Sequence, residues 1–98
     1  MTRPAALFLA AYDISLQRER VRVARVLSGF GVRVQRSVFE IRLTRADHVR
    51  LTRTLQELQL ESGTVLIYRA LDSVPAESIG QSTETPVSEE HHAWVLAE

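Results

Sequence analysis

The order of hydrophobic patterns along the chain limits its possible folds more than any other feature. The apolar run at residues 5–12 is typical of a strand covered on at least one face. A helical pattern follows at about residues 16–30, and strand character returns over residues 32–43. A second helical pattern covers about residues 45–60, and residues 64–71 form a further strand. The order βαββαβ predicts an α+β sandwich of the ferredoxin-like type, with both helices on one face of an antiparallel sheet.

Individual residues indicate where these elements begin and end. Ser15 can cap the first helix, and Gly29 or Gly31 can end it in the left-handed conformation. A turn or bulge is expected near residues 35–37. Thr44 begins a sequence that resembles a capping box, with Asp in place of the usual Glu. The helical spacing predicts six buried positions, which are Val23, Leu27, Phe30, Leu51, Leu55 and Leu58.

The chain divides into three parts by composition. Residues 1–71 form the predicted core domain, and residues 72–90 are an acidic linker rich in Ser, Thr and Pro. Residues 91–98 contain an apolar segment that we expect to form an extra C-terminal strand. The chain's own sheet, a second copy and a partner protein are all candidates for docking this strand, and the favoured interpretation is a sheet edge of the second copy, with Trp94 buried. A body of about 70 residues is marginally stable alone, which favours a homodimer that covers the helix-free face of the sheet.

Charge is unevenly distributed along the chain. Residues 1–71 carry all twelve arginines and six acids, a net +6, whereas residues 72–98 carry six acids and no arginine. There is no lysine, and arginine is the better donor for bidentate phosphate contacts. A GC-rich genome would produce the same arginine bias. The basic body predicts binding to nucleic-acid backbones.

Two classes of protein are excluded or disfavoured by composition. The absence of cysteine excludes disulfides, thiolate metal sites and cysteine nucleophiles. The N-terminal apolar run is too short to span a bilayer and ends in Asp13 rather than a cleavage site. We therefore expect a cytoplasmic protein without a membrane partner.

Asp13 is the first candidate functional residue, because it directly follows an apolar strand. A carboxylate in that position can be a hard oxygen ligand for Mg²⁺ or Mn²⁺. On spacing alone, the favoured interpretation is that Asp13 caps the following helix or pairs with an arginine. A single carboxylate is too little for two-metal phosphodiester hydrolysis, although two protomers that brought their Asp13 side chains together would supply two.

The second candidate region is a polar, basic segment inside strand-like sequence. Arg33, Arg36 and Ser37 could hold phosphate oxygens. Phe39 could stack on a base, but a place in the core is the favoured interpretation. A further set of arginines falls at helical spacing on the solvent face of the first helix: Arg18, Arg22 and Arg25.

These features occur together in an order that resembles a known family. Residues 12–15 read Tyr-Asp-Ile-Ser, and an arginine-rich helix ending in Gly-Phe-Gly follows. Residues 32–40 read Val-Arg-Val-Gln-Arg-Ser-Val-Phe-Glu, and residues 65–68 read Val-Leu-Ile-Tyr. Together they resemble the family of CRISPR-associated protein two over residues 5–71. The long acidic linker and the short loop at residues 61–63 depart from the family pattern.

The resemblance implies a ferredoxin-like homodimer that joins the CRISPR adaptation integrase and helps to hold new spacer DNA. It also implies, for many members, an Mg²⁺-dependent endonuclease activity on RNA or DNA. Asp13 matches the metal-binding aspartate of the family, and Ser37 matches a polar position. The positions that match residues tied to nuclease activity are Arg20, Arg22, Arg33 and Phe39.

Three hypotheses follow from the residues and the resemblance together. The chain is interpreted as a DNA-binding adaptor in spacer integration, as a metal-dependent endonuclease, or as a ribonuclease toxin of related fold. We favour the adaptor as the cellular role, with slow nuclease activity. A neighbouring integrase gene and a repeat array would separate the toxin from the other two.

Overall fold

A computed structural model of the chain describes residues 5–75, 77–80 and 92–96, with side chains described for residues 5–71 and 77–80. The order βαββαβ is confirmed, and a fifth strand follows it. The elements are β1 (Ala6–Ile14), α1 (Gln17–Ser28), β2 (Gly31–Gln35), β3 (Val38–Leu43), α2 (Arg45–Glu57), β4 (Gly63–Pro75) and β5 (His92–Leu96).

The five strands form one sheet in the order β2-β3-β1-β4-β5, and every neighbouring pair is antiparallel. Strand β1 lies in the centre, where Phe8 is opposite Ile41 of β3 and Ala10 is opposite Ile67 of β4. The predicted turn is found at residues 36–37, between β2 and β3. The pairing of these two strands shifts register after Arg33, so the predicted irregularity is also present.

The hydrophobic core lies between the two helices and one face of the sheet. Alternate residues of β1 face the helices, because strand side chains alternate between the two faces. The buried cluster consists of Ala10, Tyr12, Ile14, Val23, Leu27, Phe39, Ile41, Leu43, Leu51 and Leu55. Both helices therefore cover the same face, as predicted. Phe30 and Leu58 pack at the margin of the cluster and are only half-buried.

The helix ends follow the sequence signals in one case and differ from them in two. Thr44 caps α2 as predicted, because its hydroxyl accepts a hydrogen bond from the amide of Asp47 at 3.2 Å, a contact that typically contributes about 1 kcal/mol. The predicted Ser15 cap is wrong, because the N-cap of α1 is Leu16 and no side chain caps it locally. The predicted left-handed end of α1 is also wrong, since Gly29 has helical angles (φ −74°) and Gly31 is not among the described residues with positive φ.

Two glycines instead allow backbone segments to approach closely. A Cβ at Gly31 would lie 2.6 Å from Cγ1 of Ile41. A Cβ at Gly63 would lie 2.7 Å from Cα of Ile14 and closer still to the backbone oxygen of Asp13. The missing side chain of Gly63 is thus what lets β4 begin directly against the end of β1.

The C-terminal part differs from the predicted boundaries. Strand β4 continues to Pro75, beyond the predicted end of the core domain at Leu71, and β5 pairs with this extension. The extra strand therefore pairs with the chain's own β4, and not with an edge of a second copy, which was the favoured interpretation. The side chain of Trp94 and residues 81–90 of the predicted linker lie outside the described residues. Neither described helix is long and apolar enough to cross a membrane.

Candidate functional site

Asp13 lies near the end of β1 with an exposed side chain, on the face of the sheet opposite the helices. Its neighbours Tyr12 and Ile14 belong to the core, so alternation directs Asp13 away from it. Thr64 of β4 is directly opposite Asp13 on the same face and is also exposed. Asp13 does not cap α1, and no arginine forms an ion pair with it within the described residues.

One chain supplies one carboxylate at this position. No group of three or more His, Asp or Glu side chains that could hold a metal ion occurs among the described residues. The exposed carboxylate of Asp13 is a suitable hard oxygen ligand for Mg²⁺ or Mn²⁺, and it leaves most of the coordination shell to be filled by other groups.

The junction between β1 and α1, directly after Asp13, is held by hydrogen bonds from two directions. Nη1 of Arg20 donates to the backbone oxygens of Ile14 at 2.8 Å and of Ser15 at 2.6 Å. From the other direction, the backbone amide of Ser15 donates to the carbonyl oxygen of Ser62 at 3.0 Å. The amide of Leu16 donates to Oγ of Ser62 at 3.0 Å. A residue of a distant loop therefore holds the two amides that precede α1, while no side chain caps the helix itself.

Glu19 anchors that loop and is the residue that the sequence reasoning missed. It is only 3% exposed, and its carboxylate accepts hydrogen bonds from the amides of Glu61 and Ser62, both at 2.9 Å, and from the Ser62 hydroxyl. These bonds lower the pKa of Glu19 below its usual value, and the bond from the Ser62 hydroxyl has the largest effect. A signal was present, because Glu19 continues the buried stripe of Val23 and Leu27 at four-residue spacing.

An open groove lies between α1 and the β2–β3 hairpin, with a volume of about 640 Å³. Its lining consists of Tyr12, Gln17, Arg20, Val21, Ala24, Arg33, Arg36 and Ser37. The hydroxyl of Tyr12 donates to the backbone oxygen of Arg36 at 3.3 Å and accepts from Nη2 of Arg33 at 3.5 Å. Three guanidinium groups and two hydroxyls thus border one concave surface, which suits an anion such as a phosphate.

Phe39 supports the groove from within the core. Its side chain is 1% exposed, so it belongs to the core, which was the favoured of the two interpretations. The guanidinium carbon of Arg33 lies 5.2 Å from the centre of the ring, a cation–π distance. Phe39 therefore supports Arg33 and does not offer its ring to a base.

The structure places the sequence-predicted residues in three separate locations. The groove brings together Arg20, Arg33, Arg36 and Ser37. A second set of exposed arginines lies on α1 outside the groove lining: Arg18, Arg22 and Arg25. Asp13 lies on the opposite face of the sheet from the groove. Within one chain, the carboxylate and the arginines do not form a single cluster.

Comparisons with known proteins agree with this fold. The family model for CRISPR associated protein Cas2 matches residues 6–74. A Thermus thermophilus protein named CRISPR-associated endoribonuclease Cas2 is 42% identical over 72 residues, which are 74% of this chain and 73% of the relative. A crystal structure of a hypothetical protein from the same species superimposes with a TM-score of 0.70 at 33% identity, covering 82% of this chain and 99% of the other.

A Mycobacterium tuberculosis protein that is also named CRISPR-associated endoribonuclease Cas2 is 38% identical over 61 residues. The match covers 62% of this chain and 54% of the relative, so the chain spans about half the length of that relative.

The buried carboxylate generates a prediction for stability against pH. Because the folded pKa of Glu19 is depressed, its contribution to stability is complete above the unfolded pKa of about 4.3 and is lost as pH falls through the folded value. Glu19→Gln cannot titrate, so its stability should fall less steeply than that of the wild type below about pH 4.5. Urea unfolding at several pH values measures this. Glu57→Gln, which replaces an exposed acid on α2, is the control. If the free energy of unfolding falls equally steeply below pH 4.5 in Glu19→Gln and in the wild type, the pKa of Glu19 is not lowered by folding.

Proposed function

The chain belongs to the CRISPR-associated protein Cas2 family, and we propose that it is a homodimeric adaptation protein that binds nucleic-acid backbones and cleaves phosphodiester bonds in a divalent-metal-dependent reaction. The observation that carries the proposal is the position of Asp13, an exposed carboxylate on a sheet face that also presents exposed apolar side chains. The relatives are named endoribonucleases, so RNA is the first substrate to test.

The homodimer is supported by the composition of the helix-free face. Val32, Leu66 and Tyr68 lie on this face and are exposed at 45%, 51% and 37%. Isolated exposed apolar residues are ordinary, but several on one sheet face favour burial against another surface. A second copy related by a two-fold axis would cover them and bring the two Asp13 residues toward each other.

The metal proposal follows from that pairing. Two Asp13 carboxylates, one from each copy, would hold Mg²⁺ or Mn²⁺ with more oxygen ligands than a single chain supplies. A bound divalent ion would polarise a phosphoryl oxygen and lower the pKa of a water molecule. The role of Asp13 is then to fix the position of the ion relative to a phosphate.

The arginine surfaces supply binding rather than chemistry. The groove residues Arg33, Arg36 and Ser37 face away from the proposed dimer surface, as do the α1 arginines. They would remain accessible in the dimer and hold phosphates of RNA or DNA. The CRISPR adaptation integrase is the proposed protein partner, and this part of the proposal rests on the family resemblance.

The separation of the two surfaces predicts that cleavage and binding can be lost independently. Asp13→Asn keeps the side-chain shape but removes the charge, so Mg²⁺-dependent cleavage of single-stranded RNA should fall at least about 100-fold. The affinity for RNA should stay within about twofold of wild type. Arg33→Ala with Arg36→Ala should mainly weaken binding. Gel-based cleavage and fluorescence anisotropy measure both, and full activity of Asp13→Asn would contradict the metal role.

The α1 arginines predict a change in salt dependence. Replacement of Arg18, Arg22 and Arg25 by Ala should lower the affinity for duplex DNA and reduce the log–log salt slope by about 2 to 3, because each phosphate contact contributes about 0.9. Sequence preference should not change, since phosphates carry no base information. Anisotropy titrations between low and moderate salt measure the slope. An unchanged slope would locate the nucleic acid at Arg33 and Arg36 instead.

The apolar face predicts a specific effect on assembly. Leu66→Glu places a charge in the proposed dimer surface and should shift the protein toward monomer in sedimentation velocity, because burial of an unpaired carboxylate is unfavourable. The same variant should lose metal-dependent cleavage. Val49→Glu is the matched control, since Val49 is equally exposed (53%) but lies on α2. If Leu66→Glu forms dimers at the same protein concentrations as the wild type, the dimer does not form through this face of the sheet.

A further inference from the structure

We propose that Glu19 is a positioning residue for Asp13, which it reaches through Ser62 and the junction between β1 and α1. The inference rests on the proposed function, in which Asp13 holds the metal ion. It gives a role to the loop at residues 61–63. The steps are the capture of the loop by Glu19, the attachment of the loop to the junction, and the fixing of the Asp13 backbone.

Capture of the loop depends on a carboxylate that is only an acceptor. Oε2 of Glu19 accepts from the amide of Glu61, and Oε1 accepts from both the amide and the hydroxyl of Ser62. Three donors converge on one side chain. A glutamine in this place would offer an NH₂ group to at least one of these donors, so it could not satisfy all of them.

Attachment of the loop to the junction uses the oxygens of Ser62. Its hydroxyl donates a hydrogen bond to Glu19. This bond orients the lone pairs of Oγ, so that Oγ can accept a hydrogen bond from the amide of Leu16. Its carbonyl oxygen accepts from the amide of Ser15. The direction of the hydroxyl depends on Glu19, and the conformation of residues 15–16 depends on Ser62.

The end of β1 that contains Asp13 depends on its pairing with β4 more than the rest of the strand does. The pairing of β1 with β3 ends at Ala11 opposite Val38, whereas the pairing with β4 continues through Asp13 opposite Thr64 to Ile14 opposite Gly63. The amide of Tyr12 still donates to the carbonyl oxygen of Ser37 at 3.0 Å, but Asp13 itself pairs with Thr64 of β4, next to the point where Gly63 packs against it. A displacement of the loop at residues 61–63 moves the contact that orients Asp13.

Arg20 completes the clamp from the opposite direction. Its Nη1 holds the backbone oxygens of Ile14 and Ser15, while Ser62 holds the amides of Ser15 and Leu16. The Ile14–Ser15 and Ser15–Leu16 peptide groups, which begin one residue after Asp13, are thereby fixed at both their donors and their acceptors. Both clamping side chains, Glu19 and Arg20, come from the first turn of α1.

The test measures the junction and the metal site separately in the full-length protein. Glu19→Gln and the milder Ser62→Ala should each accelerate hydrogen exchange at the amides of Ser15 and Leu16 by about tenfold or more. Mn²⁺ affinity, titrated without RNA, should fall about tenfold, as for other residues that orient a metal ligand. In cleavage assays kcat should fall while KM for RNA stays close to wild type. Ser62→Thr retains the hydroxyl, so its hydrogen exchange, Mn²⁺ affinity and kcat should stay close to wild type. Glu57→Gln is the control.

Two results would overturn the positioning role. Unchanged exchange at Ser15 and Leu16 in Glu19→Gln and Ser62→Ala would show that there is no clamp. Faster exchange with wild-type Mn²⁺ affinity and kcat would show that the clamp does not act on Asp13. Asp13→Asn, measured in parallel, reports on the proposed function itself. If Asp13→Asn loses Mn²⁺ binding and cleavage but Glu19→Gln does not, only the positioning role fails.

Discussion

The central position of β1 is the constraint on which the rest of the structure depends. This strand pairs with β3 on one side and β4 on the other, and its alternate residues build the core against both helices. Because side chains alternate along a strand, the intervening residues of β1 lie on the opposite face of the sheet. Asp13 lies on that face because Tyr12 and Ile14 are buried on the other. The core thus determines the location of the candidate metal ligand.

Much of this arrangement could be predicted from local sequence, because it depends on periodicity. The order of elements, the turn at residues 36–37 and the Thr44 cap all follow from residues close together in the chain. The start of α1 could not be predicted in the same way. The amide of its N-cap residue Leu16 is bound by Ser62, 46 residues away, and no local pattern reports such a contact. The length of β4 was underestimated because its pairing with β5 depends on a distant strand.

The candidate site shows the same division between local and distant information. Asp13 was identified because it follows an apolar strand, which is a local feature. Glu19 was missed because an acid in the first turn of a helix is usually explained by the helix dipole. Its position in the stripe of Val23 and Leu27 indicated burial, and a buried carboxylate requires donors from somewhere else in the fold. A charged residue in an apolar stripe is therefore a signal of a distant hydrogen-bond partner.

Arg20 links the two surfaces that the sheet separates. It lines the groove, yet both hydrogen bonds from its Nη1 hold the junction that follows Asp13. A guanidinium group has five N–H donors, so the donors of Nη2 and Nε remain for a phosphate in the groove. A phosphate can then bind there without release of the junction, and its charge would strengthen the hold on the side chain. In the proposed reaction Arg20 would therefore act through its backbone contacts near Asp13, even though its guanidinium group lies on the opposite side of the sheet from the carboxylate.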